Sequence, residues 1–312
     1  MAGFEVGDFF ADRYEIKKVL GKGGMGMVYL VQDWKRDRPC ALKMILPKYA
    51  TNRQAVRRFA REVNAARQLD HPGVVKIYDA KQHEGHLYYT MEYLEGKSLR
   101  AWMRDRKLRG KPTVGLGSAV RILSLLCHAL EHAHKITIHR DLSPENVMLM
   151  RNNTVKLLDF GLAKLNNYDS DLTRVGISLG KIQYGAPEQR IDAKNVDHRA
   201  DIYSLGVMFY EMLTGELPLS GKKISELSPH LPPGCDALAD KAMAPDPEDR
   251  FESAREMRHA LTRLFQSAQK KGEVVRTHIE KKEEEEVSRW AKWLQRLREL
   301  LPFKKSSKDE VP

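Results

Sequence analysis

Three cysteines in 312 residues, Cys40, Cys127 and Cys235, stand far apart and have neither the paired spacing of a zinc site nor the density of a disulfide framework. A reducing, cytoplasmic setting is therefore expected. No stretch approaches the roughly 18 uninterrupted apolar residues of a spanning helix, so no transmembrane segment is expected. The N-terminal run MAGFEVGDFFADRYEI lacks the basic-then-apolar order of a secretion signal, and Ala2 stands where myristoylation needs glycine. Aromatic residues make up only 8% of the chain and do not interleave with basic ones, so nucleic acid is not an expected partner despite a net charge of +11. That charge points instead to phosphates, acidic proteins or an anionic surface.

What is present divides the chain in two. From Tyr14 to about Met91 the runs YEIKKVL, MVYLVQDW, CALKMIL, VVKIYDA and LYYTMEY alternate or are apolar between glycines and charges, which predicts a small antiparallel sheet. One helix interrupts them, TNRQAVRRFAREVNAARQLDH, with Thr51 or Asn52 as its cap and Val56, Phe59, Ala60 and Val63 on one face. After Glu92 the pattern turns helical, with GLGSAVRILSLLCHALEHAHK and HRADIYSLGVMFYEMLTG as the long segments.

Several short stretches carry chemistry. GKGGMGMV, from Gly21 to Val28, sits between two predicted strands; its glycines let a backbone approach phosphates, although alone the stretch is equally a turn. Lys43 is a charge inside the apolar strand ALKMIL. Buried, it needs an anion, and Glu62 is the acidic residue on the neighbouring helix; on a half-exposed strand it would point to solvent. IHRDLSPENVML brings Asp141 and Asn146 into one loop, and LLDFGLAK places Asp159 at a strand end, so that Asn146 and Asp159 offer the hard oxygens that magnesium prefers.

The ordered set Gly21-x-Gly23-x-x-Gly26-x-Val28, Ala41-Leu42-Lys43, Glu62, His139-Arg140-Asp141, Asn146, Asp159-Phe160-Gly161 and Ala186-Pro187-Glu188 resembles the protein kinase superfamily, and YGAPEQ, DIYSLG and PEDRF are in the style of its bacterial serine/threonine members. The resemblance implies an α+β, bilobal fold: a small antiparallel β-sheet lobe with one helix, residues 14–91, a hinge at 92–95, and a larger, mostly α-helical lobe, 96–265. Residues 1–13 would be an extension and 266–312 a charged tail.

It also implies the roles. Gly21, Lys22, Gly23, Gly24, Gly26 and Val28 would cover the phosphates of ATP, with Ala41 against the base and Met91 as gatekeeper beside hinge residues Glu92 and Leu94. Lys43, paired with Glu62, would hold the α- and β-phosphates, and Asn146 and Asp159 would bind magnesium, with manganese as a substitute. Asp141 would accept the hydroxyl proton of a protein substrate. Glu188 would pair with Arg250, and Asp201 would hold the catalytic loop. Arg140 would answer a phosphate on Thr173 or Ser178.

Two positions depart from the pattern. Ser143 stands where these kinases usually carry a lysine, and Lys181 where they carry a threonine; the expectation is an exchange in which Lys181 supplies the missing charge across the site. A nucleotide-binding pseudokinase scaffold acting through its tail is the alternative. In that tail SRWAKWLQRLRELLPF sets Trp290, Trp293, Leu294, Leu297, Leu300 and Leu301 on one stripe of a helix at about 287–301. It is read as docking on the catalytic lobes or on a partner, ahead of peripheral binding at a membrane that the preceding EEEE run would oppose.

Overall fold

The alternating runs between Tyr14 and Met91 do form a sheet. The structure, a computed structural model, describes residues 4–23, 26–46, 53–160, 183–191 and 195–270. Strands β1 (Phe9–Phe10), β2 (Tyr14–Gly23), β3 (Gly26–Asp33), β4 (Arg38–Ile45), β5 (Ile77–His83) and β6 (His86–Met91) pair antiparallel in the order β1-β2-β3-β4-β6-β5. Period-two alternation turns Tyr14, Ile16, Tyr29, Val31, Cys40, Leu42 and Tyr88 to one face, where they make an aromatic-rich core with Phe10. Phe10 and Tyr14 both meet Tyr88 edge-on, at 5.0 and 5.7 Å between ring centroids.

Helix α1 (Arg53–Arg67) lies beside this sheet and buries Phe59, Glu62, Val63 and Ala66. The run VVKIYDA is a strand only from Ile77 onward. Val74 and Val75 instead join the other lobe: Val74 forms a parallel bridge with Leu157, and the Val75 amide donates to the Leu157 carbonyl at 2.9 Å.

A second, three-stranded sheet, which the sequence reading did not anticipate, consists of β7 (Gly96–Ser98), β8 (Val147–Met150) and β9 (Val155–Leu157), in that order. Helix α2 (Leu99–Leu108) follows β7 directly, capped by Ser98, whose hydroxyl accepts from the Ala101 amide at 3.1 Å. The other helices are α3 (Leu116–Ala133), α4 (Glu188–Ile191), α5 (Arg199–Thr214), α6 (Ile224–Leu227), α7 (Gly234–Ala242) and α8 (Ala254–Lys270). Nearly the whole of α5 is buried, from Ala200 to Leu213, because it runs through the middle of the helical lobe. Among the described residues no helix is long and apolar enough to cross a membrane. Gly24, Gly161, Thr173, Ser178, Lys181 and the tail stripe Trp290 to Leu301 lie outside them.

Candidate active site

Lys43 lies in the middle of β4, where the register sets it opposite Val28 on one side and Tyr89 on the other. Its side chain is buried, so its ammonium needs a close anion. That anion is Asp159, whose Oδ2 lies 2.6 Å from Nζ. Glu62, the partner the sequence suggested, is held by Arg61 Nη2 at 3.3 Å. A single buried ammonium is satisfied by the nearer carboxylate, and the chain that follows β9 brings Asp159 there. The other oxygen, Oδ1, accepts from the Tyr89 hydroxyl at 2.6 Å. Burial, with the charge of Asp159 second, pushes the Tyr89 phenol well above its usual range, so it stays protonated and donates.

Backbone strain marks the stretches around Arg140 and Asp159. Asp159 has φ 56° and Arg140 φ 65°, a region that non-glycine residues adopt only when their surroundings impose it. At Arg140 the imposing group is Asp201 on α5, fully buried. Its Oδ1 accepts from the Arg140 amide at 2.8 Å, and its Oδ2 from the His139 amide and His134 Nε2, both at 2.9 Å. Burial works to raise the Asp201 carboxyl, but the hydrogen bond and charge of His134, with help from His139, hold it below the ordinary carboxylate range. His139, also fully buried, donates from Nε2 to the Leu158 carbonyl at 2.7 Å, and its ring lies 4.6 Å from that of Phe160. Histidine and phenylalanine thus tie the loop before Asp141 to the segment that carries Asp159.

Asn146 closes the loop on itself. Its Nδ2 donates to the Asp141 carbonyl at 2.7 Å and to Asp141 Oδ2 at 3.1 Å. Between them Ser143 is buried, and its hydroxyl has no hydrogen-bond partner among the described residues. At the hinge, the Glu92 amide donates to the Lys76 carbonyl at 2.9 Å, and its carboxylate accepts from Lys156 Nζ at 2.5 Å. Met91 ends β6 against Ala41 of β4.

The three described glycines of the Gly21–Val28 hairpin are not equivalent. A Cβ on Gly26 would stand 1.9 Å from the Met44 carbonyl oxygen, so sheet packing alone demands glycine there. At Gly21 a Cβ would meet nothing within 4 Å, and at Gly23 only the Gly26 carbonyl at 4.0 Å. Neither has a positive φ, so packing and conformation leave those two glycines unexplained, and open space lies above them.

Further out, Arg250, with its side chain fully buried, grips Glu188 of α4 through two bonds of 2.7 and 2.8 Å. Sequence reasoning missed a second network. Arg100 of α2 pairs with Glu145 at 2.8 Å and Glu211 of α5 at 2.6 Å, and Tyr184 bonds to both Arg100 and Glu211. The signal was a glutamate inside the otherwise apolar stretch GVMFYEML. Tyr89 was missed as well, though it alternates with Leu87 and Met91 on a strand that faces Lys43.

A protein kinase domain family matches residues 14–272. The chain belongs to the protein kinase family. The kinase is 34% identical over 281 residues to the serine/threonine-protein kinase PknB of Mycolicibacterium smegmatis and 32% over 277 residues to PrkC of Bacillus subtilis, alignments that take in 82% and 83% of it. They span only 43% and 42% of those relatives. Among solved structures, the PknI kinase domain of Mycobacterium tuberculosis superimposes on the kinase with a TM-score of 0.69 at 31% identity, covering 84% of this chain and all of that one. The bilobal α+β fold expected from the sequence is the observed one.

Proposed function

We propose that this kinase transfers the γ-phosphate of ATP to serine or threonine hydroxyls of protein substrates, with magnesium bound by Asn146 and Asp159. What supports the reading is that Lys43 bonds Asp159, Asn146 bonds Asp141, and the Leu158 amide, next to Asp159, donates to the Asn146 carbonyl at 2.9 Å, so that residues from three separated stretches are linked. Phosphoryl transfer asks chiefly for positioning and for cations around the phosphates, and these residue types supply both. The donor set suits magnesium, which takes one or two side-chain oxygens and completes its shell with water and phosphate. With the amide nitrogen of Asn146 committed to Asp141, its oxygen is the end it offers a cation.

In this reading Lys43 leaves Asp159 for the α- and β-phosphates, and Glu62 fixes it there. Gly21 and Gly23 allow close backbone approach, while the Glu92 carbonyl and Leu94 amide meet the adenine edge behind Met91. Asp141 takes the substrate proton. The orphaned Ser143 hydroxyl finds its partner in the transferring phosphoryl group, and Lys181 supplies the cation usually carried at that position. Thr173 and Ser178 are the candidate sites of activating phosphorylation, read by Arg140.

The test is peptide-level phosphate mapping after incubating the protein with magnesium and ATP, beside Asp159→Asn and Lys181→Ala variants. Phosphate gained by the unaltered chain, not by Asp159→Asn, and more slowly by Lys181→Ala is the expected outcome. Equal labelling of the unaltered chain and Asp159→Asn would refute the assignment of Asp159. No labelling of the unaltered chain, with or without a general protein substrate, would refute the transferase reading.

A further inference from the structure

The reading above gives Tyr89 no part, yet its hydroxyl holds one oxygen of Asp159, a carboxylate assigned to the metal. Two donors to Asp159 come from adjacent strands: Lys43 of β4 takes Oδ2 and Tyr89 of β6 takes Oδ1, each at 2.6 Å. The two are cross-strand neighbours, with Lys43 Nζ 5.9 Å from the centre of the Tyr89 ring.

They differ in freedom. Lys43 ends in a point charge on a flexible four-carbon stem, which an arriving phosphate can draw away. Tyr89 is a rigid ring, 1% exposed, packed against Phe59 of α1 with the centroids 6.3 Å apart. Carboxylates that bind metals are oriented by hydrogen bonds from residues behind them, which fix which oxygen faces the ion.

We propose that Tyr89 is a positioning residue for the metal: by holding Oδ1, its hydroxyl keeps the Asp159 carboxylate turned so that Oδ2 faces magnesium once Lys43 has moved to the nucleotide. The inference rests on the ATP and magnesium reading above. It also joins α1 to the metal, because Phe59 backs the ring that holds the carboxylate. Were the contact no more than a buried phenol finding an acceptor, removing the hydroxyl would alter stability and leave the metal untouched.

Calorimetric titration of ATP into the full chain, with EDTA and then across a magnesium series, separates these cases. Tyr89→Phe is expected to keep the metal-free ATP affinity while the apparent magnesium dissociation constant rises about 10- to 100-fold, the usual consequence of losing such a supporting bond. In an Asp159→Asn background the same substitution is expected to have no further effect. Tyr89→Met, flexible enough to fill the space without a hydroxyl, should reproduce the shift and covers a Phe variant too unstable to titrate. An unchanged or tighter magnesium constant in the hydroxyl-free variants overturns the proposal and leaves the proposed function standing. An unaltered chain that binds no ATP under either condition overturns both.

Discussion

His71 shows how burial converts a common side chain into a source of pH sensitivity. Its Nδ1 accepts from the Gly73 amide at 3.0 Å, its Nε2 lies 3.2 Å from His128 Nδ1, and the His132 ring stacks at 5.4 Å. Burial first, and the neighbouring His128 and His132 second, push the His71 imidazole down to about 4, against a weaker pull from Glu131. The folded chain therefore binds fewer protons at this position than the unfolded chain between about pH 6.5 and 4. Stability rises with pH wherever the unfolded state binds more protons, so acidification through this window removes stability, by at most about 1.4 kcal/mol per pH unit for one group. Urea midpoints at pH 7, 5.5 and 4.5 should fall for the unaltered chain and fall less for His71→Gln. Equal slopes would show that other groups carry the effect. At Asp201 the sign is the same and the window lies lower: a depressed carboxyl stabilises above its unfolded value and gives way only in stronger acid.

Among the elements, the β2–β3 hairpin separates two demands that its glycines make look alike. Gly26 pairs with Ile45 and presses on the Met44 carbonyl, a backbone atom that cannot swing aside. Gly26→Ala should lower stability by roughly 1–3 kcal/mol, the usual cost of overpacking, seen as an earlier denaturation midpoint. Gly21→Ala meets open space, so its midpoint should stay in place while ATP binding weakens. If both variants shifted the midpoint alike, the contrast drawn here would be wrong. How much of this was legible follows from the physics of each element. Period-two and period-3.6 patterns reported the long strands, α1, α3 and α5, because each of those is amphipathic or buried by its own residues. The three-residue strands β7 and β9 were not legible, since so short a run carries no periodicity and exists only through its partners. Nor was the strand start at Ile77, because Val74 and Val75 are apolar for the sake of Leu157, far along the chain.

For the whole molecule, the sheet begins before the family's own boundary. Strand β1 lies in the residues read as an extension, and Phe10 sits in the core with Phe4, His83 and Tyr88 edge-on around it at 5.3, 5.4 and 5.0 Å. Phe10→Ala should cost about 3–5 kcal/mol, read as a lower melting temperature; a change typical of a surface residue would return residues 4–13 to the status of an appendage. The family motifs named the residues of the candidate site, but not their pairings. Lys43 turning to Asp159, and Tyr89 standing behind that carboxylate, depend on which strand faces which across the sheet. A motif of separated letters does not encode that. The Val74–Leu157 bridge has a mechanical consequence. It fastens the chain just beyond the C-terminal end of α1 to the helical lobe, and so supplies a fulcrum. Counted from Arg67 at 1.5 Å per residue, Glu62 lies about 7.5 Å along the helix and Arg53 about 21 Å. For any rotation about the Arg67 end, the helix geometry makes a displacement at Glu62 almost threefold larger at Arg53.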